Sequence, residues 1–167
     1  MLLLRKSSKH TSARGGSLVE IVIVAGIITG ALIAILGLAS LFVATAHLVQ
    51  QTGQATLLAQ EGLEIVRNYR DGTDWAIGLG AVSFAPASYH PEQSGAPPSW
   101  VLMSGDETLG EFTRSLQFQE VYRDGDDNIA GSGTVDDNTV KVTVTVSWQE
   151  RGRTHEVQLS AYIANWK

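Results

Sequence analysis

The chain of 167 residues contains no cysteine, so no disulfide holds any part of it together. Proline is also scarce, and none of the four prolines precedes residue 86, which leaves the first half of the chain without a helix-breaking residue. Charge is absent from residues 21–46, where the only polar side chains are Thr29, Ser40 and Thr45. At 1.5 Å per residue this apolar run is ~39 Å long as a helix, more than the ~30 Å of a hydrocarbon core. One transmembrane helix is therefore predicted, with no second candidate.

The charged residues are distributed unevenly along the chain. Four basic residues and no acidic residue precede Gly15, whereas from Gly16 onward 8 basic residues face 17 acidic ones, a net charge of −9. Because basic flanks stay in the cytoplasm, the C-terminal part is expected to face outward. The acidic balance argues against nucleic acid as a partner, so DNA is not indicated, although net charge does not exclude local basic clusters.

A glutamate stands at the head of the apolar run. The segment reads Arg14-Gly15-Gly16-Ser17-Leu18-Val19-Glu20 and leads directly into residues 21–46. A carboxylate in a membrane helix costs roughly 2.5–3.5 kcal/mol at the helix centre, so Glu20 is expected to have a partner or to reach the interface. A basic leader, a glycine pair and a glutamate before a long apolar run together resemble the processing site of type IV pilins and the pseudopilins of type II secretion.

The resemblance implies a pathway for the first residues. A prepilin peptidase would cut after Gly15, and the new N-terminus at Gly16 would be a candidate for N-methylation, although this family commonly has phenylalanine there. Ser17, Leu18 and Glu20 occupy the motif positions that follow. In this family the glutamate of one subunit is thought to pair with the N-terminal amine of its neighbour. The implied partners are the peptidase, other pilin or pseudopilin subunits, the inner-membrane assembly platform and the lipid bilayer.

Periodicity predicts an α+β fold. The helical pattern starts near Leu18, becomes amphipathic after His47 and ends before Asp71-Gly72, so one helix is expected to run to about Tyr69. Strict alternation predicts a C-terminal antiparallel hairpin, in which residues 140–148 pair with residues 155–166 across a turn at 150–153. One face of this hairpin should cover the second half of the helix. Further strands are expected at residues 81–85, 100–103 and 112–122.

The same patterns divide the chain into four parts. Residues 1–15 form a basic leader, residues 16–46 the transmembrane helix with the cleavage motif, and residues 47–71 the amphipathic helix half. Residues 72–167 form a β-rich globular domain of the pilin type, with a proline-rich and loop-rich stretch at its start. Within the helix, Gly26 and Gly30 have the spacing that lets membrane helices approach closely.

Three polar patterns are candidate sites. The acidic loop with Asp124, Asp126 and Asn128, followed by Asp136, carries oxygen ligands of the kind that calcium takes, but the glycine and glutamate of an EF-hand are missing. Solvated turn residues explain this loop equally well, and no other cofactor is expected. The four histidines are scattered and no nucleophile stands near a base, so the chain is not predicted to be an enzyme. Glu61, Glu64 and Arg67 are spaced for pairing on the helix surface, or for contact with adjacent pilins.

The function expected from the resemblance is that of a structural subunit, a minor pilin or pseudopilin of a type IV pilus or type II secretion filament. It would be a single-pass protein of the cytoplasmic (inner) membrane and would later enter a cell-surface or periplasmic filament. Two alternatives remain open. Ala44-Thr45-Ala46 fits signal-peptidase cleavage and would release an exported binding or enzyme domain, although the apolar run is longer than a signal sequence needs. An uncut single-pass membrane protein is the other. Role in the filament, rank as major, minor or tip subunit, and any ligand of the C-terminal domain are left undetermined.

Overall fold

The computed structural model describes residues 18–85 and 87–166. They form one long helix, α1 (Leu18–Gly72), a 3₁₀ turn (Leu79–Ala81) and seven strands. The strands are β1 (Tyr89–Ser94), β2 (Ser99–Ser104), β3 (Glu107–Leu109), β4 (Phe112–Arg123), β5 (Ile129–Ala130), β6 (Thr134–Glu150) and β7 (Arg153–Ala164). The chain divides into an N-terminal unit that ends at Ala46 and a C-terminal unit that begins at His47. The predicted α+β layout, a long apolar N-terminal helix followed by an antiparallel sheet, is confirmed.

The strands of the C-terminal unit form one antiparallel sheet in the order β2-β1-β4-β6-β7, with β3 and β5 paired to β4. The predicted hairpin is its longest element: β6 and β7 pair without a register shift from Thr139 opposite Ala164 to Glu150 opposite Arg153. Arg151 and Gly152 close it with φ angles of 49° and 76°. Positive φ at both central residues matches the right-handed twist of the two strands.

The core of the C-terminal unit lies between the sheet and residues 47–72 of α1. The buried stripe of the helix contains small residues and a polar one, namely Gln51, Ala55, Ala59, Gly62, Leu63, Ile65 and Val66. Alternate residues of β4 and β6 face it, including Leu116, Phe118, Val142 and Val144, which are fully buried. The expectation that the hairpin covers the second half of the helix is therefore confirmed.

Gly62 is the place where the missing side chain decides the packing distance. A Cβ atom on Gly62 would lie 3.0 Å from Cγ1 of Val144 and 3.4 Å from Cδ of Arg114. The same atom on Gly53, nine residues earlier, would meet nothing within 4 Å. The close approach of helix and sheet at Gly62 therefore depends on glycine there.

The loop-rich stretch departs from the prediction in two ways. The prediction of a strand at residues 81–85 is wrong: the 3₁₀ turn ends at Ala81, and a single backbone bond, from the amide of Ala85 to the carbonyl of Phe118 at 2.9 Å, joins described residues of this stretch to the sheet. Conversely, β1 forms although it contains Pro91. Because β1 pairs with β4 only at Tyr89, the N–H that proline lacks is not needed on that side. The strand expected at residues 100–103 is confirmed within β2.

Candidate functional site

Part of the predicted processing motif lies outside the described residues. This holds for Gly15, Gly16 and Ser17, and for the basic leader before them. Leu18 is the first described residue of α1, and Glu20 lies in the first turn of that helix. A carboxylate in the first turn is favoured by the N–H groups that the helix leaves without partners. Glu20 is exposed, and none of the described side chains forms an ion pair with it.

Within residues 18–46, all of the large apolar side chains are exposed. Sixteen of them lie between Leu18 and Val43, and the least exposed, Val24, still keeps 48% of its surface open. Burying such a side chain is worth about 1.5–3 kcal/mol, so the whole set amounts to tens of kcal/mol of burial that this unit does not achieve by itself. The helix is long and apolar enough to cross a membrane, and lipid or other apolar helices would supply this burial.

Two threonine hydroxyls within residues 18–46 are bonded in a way that suits an apolar surrounding. The hydroxyl of Thr29 donates to the carbonyl of Ala25 at 2.8 Å, and that of Thr45 donates to the carbonyl of Leu41 at 2.9 Å. Each hydroxyl is thus satisfied within its own helix and imposes no demand on lipid. Gly26 and Gly30 have nothing of this chain within 4 Å of where a Cβ would stand. Their surface is open to whatever surrounds the helix.

In the C-terminal unit, an arginine that the sequence analysis did not single out connects the helix to the sheet. Arg114 on β4 is 3% exposed, and its Nε donates to Glu107 at 2.7 Å. Its Nη1 donates to the carbonyl of Leu58 at 3.0 Å and to Glu61 at 3.1 Å. The sequence pattern of β4 could have identified Arg114 as a buried residue. It stands in phase with Phe112 and Leu116 on the side of the strand that faces the core.

A second polar contact lies near the start of the C-terminal unit. The buried Gln51 accepts a hydrogen bond from the indole N–H of Trp148 at 3.1 Å and donates to Glu111 at 2.9 Å. One turn earlier, Nδ1 of His47 is 3.7 Å from Oε1 of Glu150, at the end of β6. These contacts place the β6–β7 turn beside the first residue of the unit.

The charged residues predicted on the helix surface are only partly used as expected. Arg67 pairs with Glu64 three residues before it, as the spacing predicts. Glu61 instead pairs with Arg114 across the helix–sheet boundary. Helical spacing alone could not identify this partner, because Arg114 is 53 residues further along the chain.

The acidic loop is arranged around Arg123. Asp124 accepts the backbone N–H groups of Asp126 and Asn128, both at 2.9 Å, and these bonds, led by that from Asn128, hold the pKa of Asp124 below its usual value. Nε of Arg123 donates to Asp136 at 2.7 Å, and its Nη1 donates to the carbonyl of Asp127 at 2.8 Å. A hydrogen bond from Thr139, followed by the one from Arg123, lowers the pKa of Asp136.

The structure engages the carboxylates of two of the four predicted calcium ligands, Asp124 and Asp136, in other contacts. Asp124 closes a turn, Asp136 binds a guanidinium, and the amides of Asp126 and Asn128 donate to Asp124. Within residues 18–85 and 87–166, no three side chains of His, Asp or Glu are grouped so that they could hold a metal ion. The arrangement is that of a charged loop stabilised by Arg123.

Comparisons of the chain with models of known protein families, with curated proteins and with solved structures found no match.

Proposed function

We propose that this chain is a pilin-like structural subunit, a minor pilin or pseudopilin of a type IV pilus or type II secretion filament. The single observation that carries the proposal is the exposed apolar segment of α1, headed by Glu20 and followed by a C-terminal unit that buries its own core. An apolar surface of this extent calls for lipid before assembly and for other helices afterwards. The motif from Gly15 to Glu20 supports the same function by its resemblance to prepilin processing sites.

The physical basis of assembly is an exchange of partners. In the membrane, lipid covers the sixteen exposed apolar side chains; in a filament, neighbouring helices cover them. Cleavage after Gly15 would create an α-amine at Gly16, whose ordinary pKa of about 7.7–8.0 leaves it largely protonated at neutral pH. In apolar surroundings this ammonium and the Glu20 carboxylate of a neighbour stabilise each other far better than either group alone.

The proposed localisation follows from the same elements. The chain is inserted in the cytoplasmic (inner) membrane with its basic leader inside and its C-terminal unit outside. The prepilin peptidase and the inner-membrane assembly platform act on it there. Incorporation then carries the C-terminal unit to the surface of a periplasmic or extracellular filament.

The first experiment is the identification of the mature N-terminus by mass spectrometry of the membrane fraction, from cells with and without a prepilin peptidase. A chain that begins at Gly16, methylated or not, only when the peptidase is present is the expected result. A chain that begins at His47 would replace the proposal with an exported soluble domain. An intact Met1 in peptidase-containing cells would indicate a plain membrane anchor. Gly15→Leu should block the cut, whereas Gly16→Ala should leave it in place.

The second experiment tests the role of Glu20. Glu20→Gln keeps the size of the side chain and removes its charge, so cleavage should persist while incorporation into filaments falls by at least about ten-fold. Glu64→Gln is the matched control, because it removes an exposed carboxylate of the same helix that pairs with Arg67. Normal incorporation of Glu20→Gln would contradict the pairing.

A further inference from the structure

The turn between β6 and β7 is held next to the residue that follows the apolar run. Glu150, the last residue of β6, is 3.7 Å from His47, and Trp148 bonds to Gln51 one helical turn further on. His47 is covalently joined to Ala46, where the apolar run ends. If residues 18–46 cross a membrane, His47 is the first residue beyond the span, and the turn lies beside that residue.

This turn carries two arginines that form no ion pair with any residue the structure describes. Arg151 and Arg153 are both exposed. The other four arginines of the described chain, Arg67, Arg70, Arg114 and Arg123, each pair with a carboxylate, whereas none of the described carboxylates pairs with Arg151 or Arg153. Three acids lie near the turn, and each contacts another residue: Glu150 is 3.7 Å from His47, Glu111 accepts from Gln51, and Glu156 accepts from Gln158 at 3.3 Å. The two guanidinium groups are thus available to an external anion.

The backbone of the turn supports a role for the arginine side chain itself. Arg151 has a φ of 49°, in the left-handed region, where a two-residue hairpin turn ordinarily has Asn, Asp or Gly. Arginine at this position costs conformational energy that asparagine would largely avoid. Strain of this kind at an exposed position points to a function of the residue that bears it.

A cluster of acidic residues lies at the opposite end of the sheet from the turn. The acidic loop, with Asp124, Asp126, Asp127, Asp136 and Asp137, follows Arg123, which pairs with Thr134 at one end of the β4–β6 ladder. Trp148 pairs with Phe112 at the other end, next to the turn. At ~3.4 Å per residue, some 40 Å of strand separate the acidic loop from the two arginines. An anionic membrane would attract the turn and repel the acidic loop.

We propose that the turn carrying Arg151 and Arg153 binds the phosphate groups of anionic phospholipids at the surface of the membrane that residues 18–46 cross. A guanidinium binds phosphate oxygens through paired N–H donors, and each basic residue near an anionic surface shifts the contact equilibrium by about five-fold. The proposal rests on the membrane anchoring contained in the proposed function and not on filament assembly. It describes the subunit before assembly, when its turn still faces lipid.

The absence of cysteine makes a site-specific test practicable. The full-length chain with Thr154→Cys, next to the turn, is reconstituted in lipid nanodiscs. A donor fluorophore is attached to the new cysteine, and the lipid headgroups carry the acceptor. Ser132→Cys, in the loop at the acidic end, is the matched control. Energy transfer from position 154 should increase when phosphatidylglycerol replaces part of the phosphatidylcholine, and added salt should reverse the increase. Transfer from position 132 should not increase.

The variant Arg151→Asn tests lipid binding without weakening the hairpin. Asparagine suits the backbone of the turn, so the hairpin should form at least as well, yet the lipid-dependent contact should weaken by about five-fold, and by more in the double variant with Arg153→Gln. Equal transfer in both lipid compositions, or an unchanged response of the double variant, would overturn the proposal. A chain that fails to co-elute with nanodiscs would overturn the anchoring together with it. A chain that shows the lipid response but never enters filaments would overturn only the filament function.

Discussion

Residues 18–46 and residues 47–166 contain apolar side chains of the same kinds but differ in what covers them. In the first region every large apolar side chain is at least 48% exposed, whereas in the second a core cluster from Ala55 to Ile163 is almost completely buried. Both regions share one helix, so helical structure does not cause the difference. The second region has a sheet to cover the helix, and the first has only what surrounds the chain.

The two parts of α1 meet different packing requirements. Where the sheet covers it, the helix has a narrow stripe of small and apolar residues, with glutamates and glutamines on the open side. Where none of the described residues covers it, apolar residues occupy the entire circumference, as in a membrane span. A substitution in the second region should therefore affect folding of the chain, and one in the first region should affect its partners.

The largest expected effect on stability comes from Arg114→Met. It removes the buried guanidinium and leaves Glu107 and the Leu58 carbonyl without their donor, so the C-terminal unit should lose about 3 kcal/mol. Chemical unfolding of the full-length chain in detergent, followed by tryptophan fluorescence, measures this loss. Cleavage at the N-terminal motif should be unaffected, and an equal loss for Glu64→Gln, on the open side of the helix, would contradict the explanation.

Substitutions of the glycines of α1 by alanine test what covers each part of the helix. Gly62→Ala should destabilise the C-terminal unit by about 1 kcal/mol, because crowding against Val144 exceeds the gain in helix propensity. Gly53→Ala, with open space around it, should stabilise the unit by up to about 1 kcal/mol. Gly30→Ala should leave unfolding of the unit unchanged and alter only association with other helices. Identical shifts at positions 62 and 53 would show that the sheet does not approach the helix closely.

A smaller effect is expected at acid pH. The pKa of Asp136 is lowered in the folded protein, so its stabilising contribution is present above the unfolded value near 3.8 and is lost as the pH falls through the lower folded value. Asp136→Asn should therefore reduce the dependence of stability on pH below about 4. Asp137→Asn, which removes the neighbouring exposed carboxylate, is the control. Thermal unfolding across this range measures both, and parallel acid profiles for the two variants would contradict the assignment.

The smallest effect is expected from calcium. Because Asp124 and Asp136 already accept hydrogen bonds from the backbone and from Arg123, calcium should raise the unfolding temperature no more than magnesium does. A saturable increase that is specific to calcium would instead establish the acidic loop as a binding site.

The long helix and the β6–β7 hairpin could be predicted because their signals are local. Residues 140–148 alternate strictly between apolar and polar side chains, and the helix has no proline and ends at Gly72. β1 could not be predicted in the same way, because Pro91 argues against a strand unless its missing N–H points away from a neighbour. The prediction of a strand at residues 81–85 was wrong because this apolar run is too short for its periodicity to distinguish a strand from a turn.

Local sequence is enough to specify which part of the chain is apolar enough to cross a membrane, where Glu20 stands relative to that part, and the alternating faces of the longest strands, because each depends on neighbours in sequence. Three other features follow from the folded arrangement alone: Glu61 pairs with Arg114, Arg123 binds Asp136, and the turn with Arg151 lies beside His47. Such contacts join residues up to about a hundred positions apart, and their formation depends on the register of strands and the approach of a helix. No local pattern encodes that geometry, and on it depend both the stability of the C-terminal unit and its proposed contact with lipid.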